Sequence, residues 1–160
     1  MEEHPKKRIF IAIDLPQELK TEMKKKIEKI ENLPIRFLLE STWHLTPVFL
    51  GNLNNGEIEA LKTIAEIAAE KVRPFTLILE KFEWAPPNRT PRMLWLSLAE
   101  SQEFSELAIS LEKEIIKKQK DGIFRQFRKS ARPPHPHVTL ARFNEEDWPL
   151  IQKELRMKKI

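Results

Sequence analysis

An α+β fold built as two lobes is what the sequence predicts, on two observations. Apolar periodicity along the chain gives the order strand, helix, strands, helix, strands, helix, strand, helix. A short pattern, histidine-x-threonine, then occurs once in each half, as His44-Leu45-Thr46 and as His137-Val138-Thr139, each on a segment read as a strand that follows a helix-containing stretch. With 4 histidines in 160 residues, only about 0.2 copies of such a pattern are expected by chance. The recurrence therefore reads as an internal duplication, one H-x-T strand per lobe, although the halves share little else. A chain of 160 residues is one domain by length, so residues 1–160 are expected to form a single bilobal domain.

The elements follow in order. Arg8 to Asp14 is apolar and rich in β-branched residues, and reads as a buried first strand ended by Leu15-Pro16. Pro16 suits the first turn of a helix. In that helix, Gln17 to Glu31, the residues Leu19, Met23, Ile27 and Ile30 form one apolar face. Leu33-Pro34 breaks it, Ile35 to Leu39 reads as a short strand, and Ser41-Thr42 as a turn. The strand Trp43 to Gly51 puts His44, Thr46 and Val48 on one face and Leu45, Pro47 and Phe49 on the other. Pro47 has no N–H to give to a ladder, so this strand is expected at a sheet edge or with that position turned outward. Asn54-Asn55-Gly56 reads as a turn, Ile58 to Val72 as a second amphipathic helix, Phe75 to Glu80 as a strand and Trp84 to Arg92, with its prolines, as a loop. Met93 to Leu98 is a strand of continuous apolar type. Ser101 is placed to cap a third helix that runs to Lys120. Pro133, Pro134 and Pro136 hold the approach to His137 extended, so a strand is expected from His137 to Phe143, followed by a last helix carrying Trp148, Ile151 and Leu155.

Composition narrows the function classes. Hydrophobic residues are 41% and charged residues 32%, with 28 Lys+Arg against 24 Asp+Glu, the balance of a folded soluble chain. There is no cysteine, which removes disulfides, thiolate nucleophiles and Cys-based zinc sites together. No apolar run approaches the ~18 residues of a membrane span, and a cytoplasmic, membrane-free protein is expected. A net charge of +4 permits an anionic partner. The basic residues Lys120, Arg125, Arg128, Lys129 and Arg132 face a single Asp121 and lead into His137, which suits electrostatic attraction of an anion. Three glycines provide neither a dinucleotide fingerprint nor a P-loop.

In an extended strand, residues i and i+2 project from the same side, so each H-x-T offers an imidazole and a hydroxyl to one small group. Two such pairs suit a phosphate. One imidazole can take a proton from an attacking hydroxyl or water while the other protonates the departing oxygen, each worth typically ~10² to 10⁴ in rate. The threonines can donate hydrogen bonds to the non-bridging oxygens. No metal or other cofactor enters that scheme. A competing arrangement is His135-Pro136-His137, an H-x-H on one face of an extended segment, which can ligate a divalent ion but has no carboxylate at ligand spacing beside it. Phe10, Phe37 and Trp43 lie on or next to strands that can line the cleft, where base stacking competes with packing. His4 is assigned no role.

Four blocks in order, Arg8-Ile-Phe-Ile-Ala-Ile-Asp-Leu-Pro16, Trp43-His-Leu-Thr-Pro-Val-Phe-Leu-Gly51, Pro91-Arg-Met-Leu-Trp-Leu96 and Pro136-His-Val-Thr-Leu-Ala-Arg142, resemble the two-histidine (2H) phosphoesterase superfamily, and within it the RNA 2',3'-cyclic phosphodiesterases also called 2'-5' RNA ligases. The resemblance implies two pseudo-symmetric, antiparallel-rich sheets flanked by helices around a central cleft. It also implies metal-independent hydrolysis of a terminal 2',3'-cyclic phosphate to a 2'-phosphate, with 2'-5' RNA ligation or 2',5'-phosphodiester cleavage as alternatives on the same groups. His44 is then the proton donor to the leaving 3' oxygen, His137 the proton acceptor that activates water, and Thr46, Thr139 and Arg142 bind the phosphate. Arg142 stands five residues from His137, an odd step that points it to the other face unless the strand bulges or ends there. The implied partner is RNA with a 2',3'-cyclic phosphate end, tRNA fragments included, acted on by a monomer. The chain differs from the family in having Pro47 where leucine is usual, and in ending at Ile160, soon after Arg142, where relatives continue through further strand-forming sequence. A compact variant, or a lobe lacking its C-terminal part, is therefore expected, and a non-catalytic RNA-binding module is the alternative of a different class.

Overall fold

In the computed structural model, residues 6–130 and 134–158 are described; His4, Arg132 and Pro133 lie outside them. The expected α+β class is found, with antiparallel strands and four helices: β1 (Lys7–Asp14), α1 (Gln17–Ile27), β2 (Arg36–Phe37), β3 (His44–Leu53), α2 (Asn55–Glu70), β4 (Leu79–Ala85), β5 (Met93–Leu98), α3 (Gln102–Lys120), β6 (His137–Arg142) and α4 (Trp148–Lys158). They form two compact units, each drawing on three stretches of chain. The first takes the chain up to Ile13, Thr46–Ile78 and Ala99–Pro136, the second Asp14–Leu45, Leu79–Leu98 and the chain from His137 onward. Strand β3 starts in the second unit with His44 and Leu45 and continues in the first from Thr46.

The first unit is built on one apolar cluster. Val48, Leu50 and Leu53 of β3, Leu61, Ile64 and Ala68 of α2, Leu111 and Ile115 of α3, and Phe124 and Phe127 are all buried in it. The expected turn at Asn54-Asn55-Gly56 is instead a helix start. Asn54 Oδ1 accepts from Glu57 N at 2.9 Å and Glu57 Oε2 accepts from Asn54 N at 2.9 Å, a reciprocal capping box. Glu57 also accepts, through Oε1, from Phe124 N at 3.1 Å. That contact supports Phe124, a fully buried aromatic residue held at φ 55°, where an L side chain is strained. Gln119 reinforces the same turn by donating to the carbonyls of Phe124 and Phe127 at 2.9 and 3.0 Å. Ser101 caps α3 as expected, its Oγ accepting from Phe104 N at 3.1 Å. β1 differs from the buried strand expected. Ile9, Ile11 and Ile13 are half-buried while Phe10 and Ala12 are exposed, the alternation of an edge strand covered on one face.

The second unit carries an antiparallel ladder in the order β4, β5, β6. On the other edge of β6 lie both β2, with Arg36 opposite Arg142 and Phe37 opposite Ala141, and the start of β3, with Leu45 opposite Val138. Leu45, Leu94, Leu96, Leu98, Val138 and Leu140 are buried at 3% exposure or less, so one face of this ladder is core. Trp43 is also core at 2% exposed, so packing wins over stacking for that ring. The strand expected over Ile35 to Leu39 shrinks to two residues, and the one expected at Phe75 to Glu80 forms later, at Leu79–Ala85. Of the two arrangements expected from Pro47, the sheet edge is not found: β3 pairs with β6 at Leu45, two residues before the proline, and neighbours β1 in the first unit. Among the described residues no helix is long and apolar enough to cross a membrane.

The capping box gives a prediction for the first unit. Asn54→Ala removes one half of it and is expected to lower unfolding free energy by about 1 kcal/mol, read as a shifted urea midpoint with an unchanged slope.

Candidate active site

Strand β6 alternates as the H-x-T spacing requires: His137 and Thr139 are half-buried while Val138 and Leu140 are buried. Its pairing with β5 then slips by one residue. Thr139 is opposite Trp95, yet Ala141 is opposite Leu94, so Leu140 is an extra residue on β6. Two consecutive buried residues, Leu140 and Ala141, result, and Arg142 comes back to the face of His137 and Thr139. The bulge that five-residue spacing demands is therefore present.

His44 joins that face through the pairing of Leu45 with Val138. These are the middle residues of the two H-x-T patterns. Both are buried, at 1% exposure each, so the flanking histidines and threonine of the second unit project from the opposite side. The antiparallel register brings His44 alongside Thr139, with His137 diagonal to it at about 7–8 Å. Thr46, two residues on along β3, is half-buried like His44 and lies in the first unit.

The two rings are oriented by different means. His44 Nδ1 lies 2.6 Å from the carbonyl oxygen of Thr42. A carbonyl only accepts, so Nδ1 carries the proton and Nε2 is the nitrogen that gains or loses one. The His137 ring stacks on the indole of Trp95, with centroids 3.8 Å apart and planes 24° from parallel. Next along β5, Ser97 is opposite His137, fully buried, and its hydroxyl donates to Glu83 Oε2 at 2.8 Å. Arg142 is exposed and gives one guanidinium N–H to the thioether of Met93 at 3.4 Å.

Beside His44 stands an ion pair. Lys20, buried at 5% exposure, places its ammonium 2.7 Å from Asp14 Oδ1. That hydrogen bond, the backbone N–H of Leu15 and, to a smaller extent, the charge of His44 hold the Asp14 carboxyl below its ordinary range.

Of the residues expected from sequence, His44, His137, Thr139 and Arg142 thus share one face of the second unit. His135 is exposed, and no group of three His, Cys, Asp or Glu side chains able to hold a metal occurs among the described residues. Phe10 lies at the surface of the first unit, stacked on Phe49 at 5.5 Å. Two of the basic-loop residues turn inward on their own loop: Arg125 donates to the Gly122 carbonyl and Arg128 to those of Arg125 and Phe127. Sequence reading assigned no role to Trp95, Ser97 or Arg36. The strand that carries Met93, Trp95 and Ser97 is visible in the sequence, but which strand it faces is not.

Residues 15–159 match the model of a family described as the 2'-5' RNA ligase superfamily. Relatives named RNA 2',3'-cyclic phosphodiesterase include one from Methanothermobacter thermautotrophicus, 24% identical over 70% of this chain and 62% of its own, and one from Bacillus subtilis, 27% identical over 83% and 69%. A third, from Geobacillus stearothermophilus, is 27% identical over 92% of this chain and 45% of its own length. The chain thus spans between about half and two thirds of these relatives. Among solved structures, TT0787 of Thermus thermophilus superposes with a TM-score of 0.76 at 25% identity, covering 86% of this chain and 74% of that one. The apo form of Escherichia coli LigT does so with 0.64 at 27%, covering 86% and 73%, and LigT has also been solved with 3'-AMP and with phosphate.

The Asp14–Lys20 pair gives a pH prediction. The folded-state pKa of Asp14 is below its unfolded value, so its stabilising contribution is complete above the ordinary aspartate range and is lost as pH falls through the depressed value. Lys20→Met is expected to return the Asp14 titration, followed by carboxyl NMR, towards the ordinary range and to flatten that part of the stability profile.

Proposed function

The chain belongs to the 2'-5' RNA ligase superfamily, and from that premise we propose that it hydrolyses a terminal RNA 2',3'-cyclic phosphate to a 2'-phosphate by two-histidine acid–base catalysis. The observation that carries the reading is the pairing of Leu45 with Val138, which puts His44 beside Thr139 and His137 one diagonal away on the same face. The family is one of phosphoesterases, and the relatives' shared name supports an enzyme acting on RNA ends. LigT, solved with 3'-AMP and with phosphate, supports a nucleotide bearing a phosphate as the ligand class.

In the proposed reaction, water attacks phosphorus as His137 takes its proton, and His44 protonates the leaving 3' oxygen from the other side. The 2' P–O bond stays, the 3' P–O bond breaks, and one proton moves from water to product through the pair. Thr139 and Thr46 donate to non-bridging oxygens, and Arg142 neutralises charge there. Each histidine ends in the protonation state in which the other began. With an RNA 5' hydroxyl in place of water as the attacking group, the same steps break the 3' P–O bond and join ends through a 2'-5' linkage, the reaction in the family's name.

The test is hydrolysis of adenosine 2',3'-cyclic phosphate in excess chelator. Wild type is expected to give the 2'-phosphate, and His44→Ala and His137→Ala each to lose about 10²- to 10⁴-fold in kcat. Turnover that survives either substitution, or a 3'-phosphate product, overturns the assignment. A folded wild type with no turnover on this substrate or on a short RNA with the same end overturns the phosphodiesterase reading itself.

A further inference from the structure

Across the second unit's sheet, β2 sets Arg36 directly opposite Arg142 of β6. Directly opposed residues share a face and stand ~5 Å apart at Cβ, where two like charges repel and destabilise the pairing. Such a pair is costly unless something neutralises it. The nearby carboxylates are committed elsewhere: Glu40 to Gln17 and Lys24, and Glu145 to Arg92. Neither arginine has a carboxylate partner among the described residues. Arg142 leans to Met93 on its far side, and Arg36 is exposed. Two planar guanidiniums, each a fork of donors, face solvent on the sheet face that carries His44 and His137.

We propose that Arg36 binds a second phosphate of the substrate, the internal phosphodiester immediately 5' to the cyclic end, with Arg142 standing between the two phosphates. The proposal rests on the phosphodiesterase reading for its substrate and goes beyond it in naming what holds the rest of the strand. Spacing supports it. Thr139 and Arg142 face Trp95 and Met93, two residues apart on β5, so across the bulge they stand about 7 Å apart at ~3.3 Å per residue, and β2 is one strand further out, by about 4.8 Å. Arg36 thus stands further from Thr139 than Arg142 does, and is placed for the next anion along a single strand. The enzyme would accordingly favour an oligonucleotide over a cyclic mononucleotide.

The experiment compares adenosine 2',3'-cyclic phosphate with the dinucleotide ApA carrying the same cyclic end, for wild type, Arg36→Ala and Arg36→Lys. The ratio of kcat/KM for dinucleotide over mononucleotide is expected to fall about tenfold in Arg36→Ala through KM, and to recover in part in Arg36→Lys. Binding of ApA 2'-phosphate is expected to show a salt slope reduced by about 0.7 in Arg36→Ala. A ratio unchanged by the substitution, or equal losses on both substrates, overturns the proposal. If wild type turns over neither substrate, the phosphodiesterase reading fails, and the binding arm still decides: the anion site stands if ApA 2'-phosphate loses affinity in Arg36→Ala while adenosine 2'-phosphate does not, and falls otherwise.

Discussion

Leu45 and Val138 are cross-strand partners, and almost everything about the candidate site depends on that contact. Both side chains are buried, so neither strand can rotate about its axis without exposing its middle residue. A register slip of one residue would turn His44 or His137 into the core and bring a leucine or valine to the surface. Burying an imidazole without a partner, and exposing an aliphatic side chain, are both unfavourable, so the hydrophobic alternation enforces the polar one. The face that carries the histidines is thus specified by its apolar reverse side.

Strand alternation alone would have put Arg142 on that reverse side. The extra residue at Leu140 corrects it, at the cost of one disrupted ladder position, and the core absorbs two successive small-to-medium residues, Leu140 and Ala141, where it would otherwise alternate. The result is a face whose charge grows along β6 from neutral donors at Thr139 to guanidinium at Arg142, with Arg36 beside it. For the proposed substrate, a gradient of that kind favours one phosphate at the histidines, with the strand's remaining charge drawn to the cationic end.

The make-up of this face was legible in the sequence because H-x-T is a period-two pattern and strands have period two. The five-residue step from His137 to Arg142 was legible as a conflict, and a bulge is one of the two ways a strand can resolve it. What could not be read was pairing. Nothing in Met93-Leu94-Trp95-Leu96-Ser97 says that Trp95 lies under an imidazole, and nothing in Arg36-Phe37 says that the distant Arg142 is its neighbour. Local propensity also misled where tertiary contacts took over. Asn54-Asn55-Gly56 has turn composition, but Glu57 both caps the helix and reaches Phe124, so the helix starts at once. Pro47 suggested an edge or an outward-turned position; the edge is not found, and the strand meets β6 before the proline.

His44 and His137 are chemically alike, but their supports are not, and the difference bears on which proton each can move. The carbonyl of Thr42 holds the proton on Nδ1 of His44, so in the proposed reaction Nε2 is the nitrogen that faces the substrate. The indole under His137 constrains the plane of that ring, and its π face favours a cation above it. A base that must become charged as water attacks benefits from a neighbour that stabilises the imidazolium it turns into. An acid that must deliver a proton along one direction benefits from a ring that cannot swing. Trp95 beneath His137 and Thr42 behind His44 therefore support the order of roles that the family resemblance implies, from an argument that does not use the resemblance.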